Sequence, residues 1–120
     1  MVKREISIRE DALAQAAAEV VAAWKAAEAG QQVEPTDRLY FDSWEALCAV
    51  LTPKRYDLLR HLRRAPAESI RALARDLERD VKRVHEDVTA LAELGLIERD
   101  ADGRLTMPLD EIASTIRFAA

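Results

Sequence analysis

The segment from Ser69 to Met107 constrains the fold of this chain more than any other. It reads Ser-Ile-Arg-Ala-Leu-Ala-Arg-Asp-Leu, breaks at residues 78–80, and continues Val-Lys-Arg-Val-His-Glu-Asp-Val-Thr-Ala-Leu-Ala-Glu-Leu-Gly. Apolar residues recur every three or four positions in both parts, which predicts two amphipathic helices, and the glycine is typical of a helix C-terminus. Leu-Ile-Glu-Arg and Arg-Leu-Thr-Met then flank Asp102-Gly103, a dipeptide that favours a hairpin turn. The segment therefore predicts a helix, a tight turn, a second helix and a β-hairpin.

That order is the order of a winged helix-turn-helix, so we predict a mainly α fold with a small β component, in the α+β class. Local signals predict the other elements. Residues 3–9 and 38–42 alternate as short strands do, and residues 11–29 form a long alanine-rich helix that ends at Gly30. Four helices carry a hydroxyl or carboxylate at the capping position, namely Ser43, Thr52, Ser69 and Asp80.

Three regions follow from this pattern. Residues 1–37 form a strand and a long helix, residues 38–107 the winged helix-turn-helix, and residues 108–120 a C-terminal helix or tail with Leu109, Ile112 and Ile116 as its apolar line. The long helix is only marginally stable alone and must pack on something. We expect it to dimerise, and the expected interface residues are Leu13, Val20, Val21 and Trp24. The C-terminal tail is the alternative dimerisation element.

Charge is divided unevenly along the chain. The net charge is −4; residues 1–51 carry 5 Lys and Arg against 9 Asp and Glu, whereas residues 52–107 carry 12 against 11. DNA binding would therefore depend on the distribution of charge over faces and not on total charge. No apolar run approaches a membrane span and no signal-like segment opens the chain, so we expect a cytoplasmic protein. We expect no metal and no cofactor, and no enzyme, because nucleophile and phosphate-loop motifs are missing.

The second helix of the motif, residues 81–94, is the predicted recognition helix. With Val81, Val84, Val88 and Leu91 facing inward, its outward side chains near the N-terminus can reach base edges in the major groove. Arginine and lysine are suited to guanine O6 and N7, and other cations to phosphates. The predicted DNA-binding residues are Lys82, Arg83, Arg79, His85, Glu86, Thr89, Arg71, Arg75, Lys54, Arg55 and, on the wing, Arg104.

Simpler interpretations stand beside these. Arg71 and Arg75 would equally suit pairing with nearby carboxylates, and Lys82 has Glu86 four residues away as a helical ion-pair partner. Arg83 and Asp87 have the same spacing. His85 would fit a partly buried packing position, and Cys48 lies on an apolar run that predicts burial. The two tryptophans suit core or interface anchors.

Three blocks carry a family resemblance. They are Leu-Thr-Pro-Lys-Arg-Tyr-Asp-Leu-Leu-Arg at 51–60, Ser-Ile-Arg-Ala-Leu-Ala at 69–74, and the run from Arg79 to Arg99. These resemble prokaryotic winged helix-turn-helix regulators of the MarR-like class, and are particularly similar to a group of short, often antitoxin-like, bacterial and archaeal regulators. The resemblance covers about residues 38–112. It implies DNA binding, a homodimer and autoregulation beside a partner gene. The chain departs from the group at Glu78, where relatives tend to have glycine, and at Glu86, where a basic residue is expected.

Two functions of different classes follow. The first is a sequence-specific DNA-binding transcriptional regulator, a repressor or autoregulator, that acts as a homodimer on double-stranded DNA. The alternative is a protein-interaction adaptor or antitoxin that binds a toxin-like partner through the same scaffold. Ion pairing within the chain distinguishes the two functions. The adaptor would be favoured if carboxylates of the same chain pair with Arg71, Arg75, Lys82 and Arg83.

Overall fold

The computed structural model describes residues 1–32 and 38–118 of the chain. It has an α+β fold, as predicted. These residues form two compact units: a sheet unit, made of Lys3–Leu47 and the chain from Ile112 onward, and a helix-turn-helix unit, made of Met1–Val2 and Cys48–Glu111. In chain order the elements are β1 (Lys3–Ile8), α1 (Ala12–Glu28), β2 (Arg38–Phe41), α2 (Trp44–Val50), α3 (Pro53–Arg64), α4 (Ile70–Leu77), α5 (Val81–Glu93), β3 (Glu98–Arg99), β4 (Leu105–Thr106) and β5 (Glu111–Ile116).

The division into units differs from the predicted regions. The predicted boundary after residue 37 lies outside the described residues, whereas the units divide between Leu47 and Cys48. Strand β2 therefore belongs with β1 and α1 and not with the helix-turn-helix. The reason is long-range pairing, because β2 lies beside β1 in a parallel ladder that places Ile6 opposite Leu39 and Ile8 opposite Phe41.

The C-terminal segment, predicted from Leu109, Ile112 and Ile116 as a helix or tail, contains strand β5 instead, so the helix prediction is wrong. The sheet order is β2-β1-β5, so β5 occupies the free edge of β1. The backbone N–H of Arg117 donates to the carbonyl oxygen of Ile8 at 2.9 Å. Ile112, Thr115 and Ile116 are β-branched and suit a strand when such an edge is available. Leu109 is buried, while Ile116 is exposed.

Helix α1 ends as predicted, with Gly30 in the left-handed region at φ 76°. The side chains that it turns toward the rest of the sheet unit are mostly small, such as Ala16 and Ala23. Its larger apolar side chains point away from that face and are exposed: Leu13 (81%), Val20 (66%), Val21 (51%) and Trp24 (67%).

The capping predictions in the helical region are confirmed. Thr52 accepts a hydrogen bond from the Arg55 backbone N–H at 3.2 Å, and Ser69 accepts one from Ala72 at 3.0 Å. Ser43 accepts one from Ala46 at 3.1 Å. Each such cap contributes about 1 kcal/mol by satisfying a helix N–H that has no intrahelical acceptor.

The core of the helix-turn-helix unit is formed by the inner faces of α3, α4 and α5 with residues from the hairpin: Leu58, Leu59, Leu62, Leu73, Ala74, Val84, Val88, Leu91, Leu96, Ile97 and Leu105. Val81, which was expected to face inward, is exposed instead, and Tyr56 is exposed as well, because each lies within the first turns of its helix and outside the packed stripe. Cys48 is also exposed, contrary to the expected burial.

The predicted hairpin is present, with Glu98 opposite Thr106 and Arg99 opposite Leu105. Its tip is longer than a two-residue turn, since Gly103 N–H donates to the Asp100 carbonyl oxygen and Gly103 lies at φ 87°. Ala67, between α3 and α4, forms a further antiparallel bridge with Leu105 through two backbone hydrogen bonds of 2.8 and 3.0 Å. The bridge anchors the wing to the segment that precedes α4.

Among residues 1–32 and 38–118, no helix combines the length and the hydropathy needed to cross a bilayer.

Candidate nucleic-acid interface

Helix α5 is fixed at its N-terminus by Asp80, whose carboxylate accepts a hydrogen bond from the Arg83 backbone N–H at 3.2 Å. Val84, Val88 and Leu91 are buried against the rest of the unit, and α4 is the helix that contacts α5 most extensively. This packing orients the opposite face of α5 toward solvent. The exposed side chains on this face include Lys82, Arg83, His85, Glu86 and Thr89.

Six predicted DNA-binding cations are exposed in the helix-turn-helix unit: Lys54, Arg71, Arg75, Lys82, Arg83 and Arg104. Within residues 1–32 and 38–118, none of them takes part in an ion pair. The helical pairs that the spacing allows, Lys82 with Glu86 and Arg83 with Asp87, are therefore not formed. His85 is exposed, which excludes its reading as a buried packing residue.

Arg55 and Arg79 differ from the other cations because both bind Asp87. Arg55 Nε donates to Asp87 Oδ1 at 3.0 Å, and Arg79 Nη2 donates to Asp87 Oδ2 at 2.7 Å. Arg55 Nη1 also donates to the Val50 carbonyl oxygen at 2.7 Å. The three side chains are largely shielded, at 19%, 19% and 14% exposed respectively. This cluster, which we call the Asp87 clasp, joins α3, the α4–α5 turn and α5.

The clasp has a clear electrostatic consequence. Burial alone would raise the pKa of Asp87, but the hydrogen bonds and positive charges of Arg79 and Arg55 outweigh burial and hold that pKa below its ordinary value. Asp87 is therefore ionised at neutral pH. Arg55 and Arg79 are both bound to this internal carboxylate, so they brace helix α5 against α3 and the turn.

The turn that enters α5 is built around Glu78, which ends α4 in the left-handed conformation at φ 54° and ψ 46°. The backbone N–H of Glu78 donates to Arg75, and that of Arg79 donates to Ala74 at 2.9 Å. This is the hydrogen-bond pattern of a helix end that normally uses glycine. The expected departure at Glu78 thus falls at a position where the backbone does require a left-handed residue.

A groove runs beside the N-terminal half of α5. Its lining combines both signs of charge: Lys54, Arg55, Arg79 and Arg83 against Glu78, Asp80, Glu86 and Asp87, with Thr52. The Asp80 carboxylate caps the N-terminus of α5, and the Asp87 carboxylate binds Arg55 and Arg79 in the clasp. The other two lining carboxylates, Glu78 and Glu86, make no hydrogen bond within the described part of the chain. Strong general attraction for polyanions is not expected from this balance.

The wing tip is organised by Asp100, whose side chain accepts backbone N–H groups from Asp102 and Arg104, both at 2.9 Å. Arg104 follows the tip directly and its side chain is exposed. The wing thus presents two exposed cations, Arg99 and Arg104, beside acidic residues, which suits a shallow contact more than deep insertion into a groove.

Helix α4, the turn at Glu78, helix α5 and the β3–β4 hairpin follow one another in the order expected of a helix-turn-helix with a wing. The chain belongs to the HVO_A0114 family, whose model matches residues 50–114, more than half of the chain. That match spans the helix-turn-helix, the clasp and the hairpin. No curated protein and no solved structure matches the chain significantly.

Proposed function

We propose that the protein is a sequence-specific DNA-binding transcriptional regulator of the MarR-like kind, a repressor or autoregulator that binds double-stranded DNA in the cytoplasm. One observation carries the proposal. The outward faces of α4 and α5 present Arg71, Arg75, Lys82 and Arg83 without an ion pair to any residue that the structure describes. Unpaired cations on a braced helix are available to a polyanion at little cost in lost internal contacts.

The first turn of α5 would enter the major groove. Arg83 is suited to a bidentate contact with guanine O6 and N7, and Lys82 to the same base edge or to a phosphate. Arg71, Arg75 and Lys54 would hold phosphates and set the register, and Arg104 would approach the adjacent minor groove. His85 and Thr89 complete this face. The clasp supports the arrangement because it fixes the helix that carries the reading residues.

A gel shift with the DNA upstream of its own gene tests the proposal. We expect Lys82→Ala/Arg83→Ala to abolish the shifted band, since both charged groups are lost from the centre of the contact. Neither side chain has an ion-pair partner among the residues that the structure describes, so the fold should not suffer. Lys25→Ala/Arg64→Ala is the matched control, because it removes two exposed cations from other faces. Equal binding by both double variants, with unchanged thermal melting, would reject the assignment of α5.

A homodimer is part of the proposal, with α1 as the contact. Leu13, Val20 and Trp24 lie along one exposed stripe, as an interface between two identical helices requires. The Trp24 indole N–H already donates to Glu28 Oε1 at 2.7 Å, so the ring can be buried without leaving a polar group unpaired. Two recognition helices would then meet half-sites about 34 Å apart.

Sedimentation of the free protein tests this contact. Val20→Glu would place a charge within the stripe, so we expect a monomer where the wild type forms a dimer. Ala18→Glu is the control, because at 100° per residue Ala18 faces neither the stripe nor the sheet. A dimer that survives Val20→Glu would assign dimerisation to another element, such as the C-terminal strand.

The adaptor or antitoxin function remains the alternative, and the same exposed stripe favours it, since a toxin-like partner would also bury apolar side chains of α1. The two functions separate in solution. A protein that is monomeric at every concentration and binds no DNA would favour the adaptor, whereas a dimer that shifts DNA favours the regulator.

A further inference from the structure

Two neighbouring carboxylates on α5 lie in opposite surroundings. Asp87 is mostly shielded and accepts hydrogen bonds from two arginines in the clasp. Glu86, one residue earlier, is exposed, and its carboxylate makes no hydrogen bond or ion pair with any residue in the described ranges 1–32 and 38–118. Asp87 therefore stabilises the fold through its two arginines, whereas the Glu86 carboxylate has no such structural contact among the described residues.

Glu86 shares the outward face of α5 with the two cations that would read DNA. It follows Lys82 by four residues and Arg83 by three, so all three side chains lie on adjoining turns of one surface. Arg83 and Glu86 also line the same groove. A carboxylate thus stands in the middle of the surface that must approach DNA.

A carboxylate in that position is unfavourable unless the DNA offers it a donor. Phosphates repel it, and most base edges in the major groove present acceptors. The donors there are the amino groups of cytosine and adenine. On its own ring, adenine carries the acceptor N7 beside its amino group, which repels a carboxylate, whereas cytosine carries a C–H group in that place, so cytosine N4 is the preferred partner.

We infer that Glu86 is a specificity-determining residue that accepts a hydrogen bond from cytosine N4, next to a guanine bound by Arg83. The inference rests on the proposed function. Three residues of α-helix advance about 4.5 Å and successive base pairs are about 3.4 Å apart, so Arg83 and Glu86 address the same or adjacent base pairs. At all other sequences Glu86 weakens binding, which makes it a device against non-cognate DNA.

Selection from a randomised duplex library, at one fixed salt concentration and with the full chain, tests the inference. The proteins are the wild type, Glu86→Gln, Glu86→Ala and the control Glu93→Gln, which neutralises another exposed carboxylate at the far end of α5. We expect the wild type and Glu93→Gln to enrich one motif with a cytosine beside a guanine. Glu86→Gln should change that cytosine to adenine, because a glutamine amide matches adenine N6 and N7.

Glu86→Ala should lose the preference at that one position by about 5- to 100-fold and bind unrelated DNA more tightly than the wild type. If Glu86→Gln and Glu86→Ala enrich the wild-type motif with unchanged strength at every position, the inference is overturned while the proposed function stands. If the wild type enriches no sequence although it melts cooperatively, the proposed function itself fails.

Discussion

The basic side chains around β1 and β2 and those on the outer faces of α4 and α5 are of the same types but are used differently. In the sheet unit, Arg38 donates to Glu5 at 2.8 and 3.1 Å and to Glu19 at 3.1 Å. Arg9 pairs with Asp11, and Lys3 lies 3.7 Å from Glu5. On α4 and α5 the exposed cations have no ion pair within the part of the chain that the structure describes.

Total charge is therefore a poor guide to the charge that is available on the outer faces of α4 and α5. The sheet unit holds many of the acidic residues, and part of that acidity is already balanced locally, as the hydrogen bond from Arg38 that lowers the pKa of Glu5 illustrates. The helix-turn-helix unit is nearly neutral in total, but its cations fall into two groups, paired and unpaired. There, Arg55 and Arg79 are bound to Asp87 while Lys82 and Arg83 are left to solvent.

The largest expected effect comes from breaking the Asp87 clasp. Asp87→Ala leaves two largely shielded guanidinium groups without their acceptor, so we expect the free energy of unfolding to fall by about 2–4 kcal/mol. Urea denaturation measures the loss. Glu86→Ala, at the adjacent exposed position, should change stability by less than about 0.5 kcal/mol. If the two variants have equal free energies of unfolding, the paired carboxylate does not stabilise the fold more than the unpaired one, and the comparison is contradicted.

Removing two unpaired cations of α4 should weaken DNA binding and leave the stability of the fold unchanged. For Arg71→Ala/Arg75→Ala we expect an affinity loss of about tenfold and a salt dependence, log K against log salt, that is shallower by about 2. Fluorescence anisotropy over a salt series measures both quantities. Arg38→Ala is the comparison, because Arg38 is paired internally. A slope that changes with Arg38→Ala but not with the double variant would contradict the comparison.

A smaller effect, of opposite sign, is expected at the turn. Glu78 lies in the left-handed region, which is unfavourable for residues with a Cβ and readily adopted by glycine. Glu78→Gly should therefore stabilise the fold by about 0.5–1 kcal/mol. Thermal melting compares it with Glu78→Ala, which keeps the strain and should not be stabilising.

The pH dependence of stability gives the finest test. Because the folded state holds the pKa of Asp87 below its ordinary value of 3.8, ionised Asp87 stabilises the fold at higher pH. That contribution is lost as the pH falls through 3.8 and then through the lower folded pKa. Asp87→Asn should remove this component, so the difference in stability between wild type and variant should narrow on acidification. Glu5, Asp11 and Asp110, whose pKa values are also lowered, are common to both proteins and cancel.

The sequence predicts the parts of the fold that depend on neighbours in the chain. Thr52, Ser69 and Asp80 each mark a helix start correctly, and Gly30 and Gly95 each mark a helix end, because caps and left-handed stops are set within a few residues. The outward positions of Lys82 and Arg83 follow from the same periodicity.

What the sequence did not reveal depends on distant residues. Asp87 and Arg55 are 32 positions apart, so no local pattern identifies the clasp, and the sequence presents Arg55 and Arg79 only as DNA-binding candidates. The spacing of Ile112 and Ile116 suits a helix when read alone, and only the free edge of β1 makes the segment a strand. The bridge between Ala67 and Leu105 also joins residues far apart in the chain, so no local pattern predicts it.

The most direct test of the account is a map of backbone amide shifts by NMR as a selected duplex is added to the labelled protein. We expect the largest changes along the outer face of α5, from Lys82 to Thr89, with smaller ones near Arg71, Arg75 and Arg104, and little change around Arg38. Changes confined to α1 and the sheet unit, with α5 unaffected, would contradict the account.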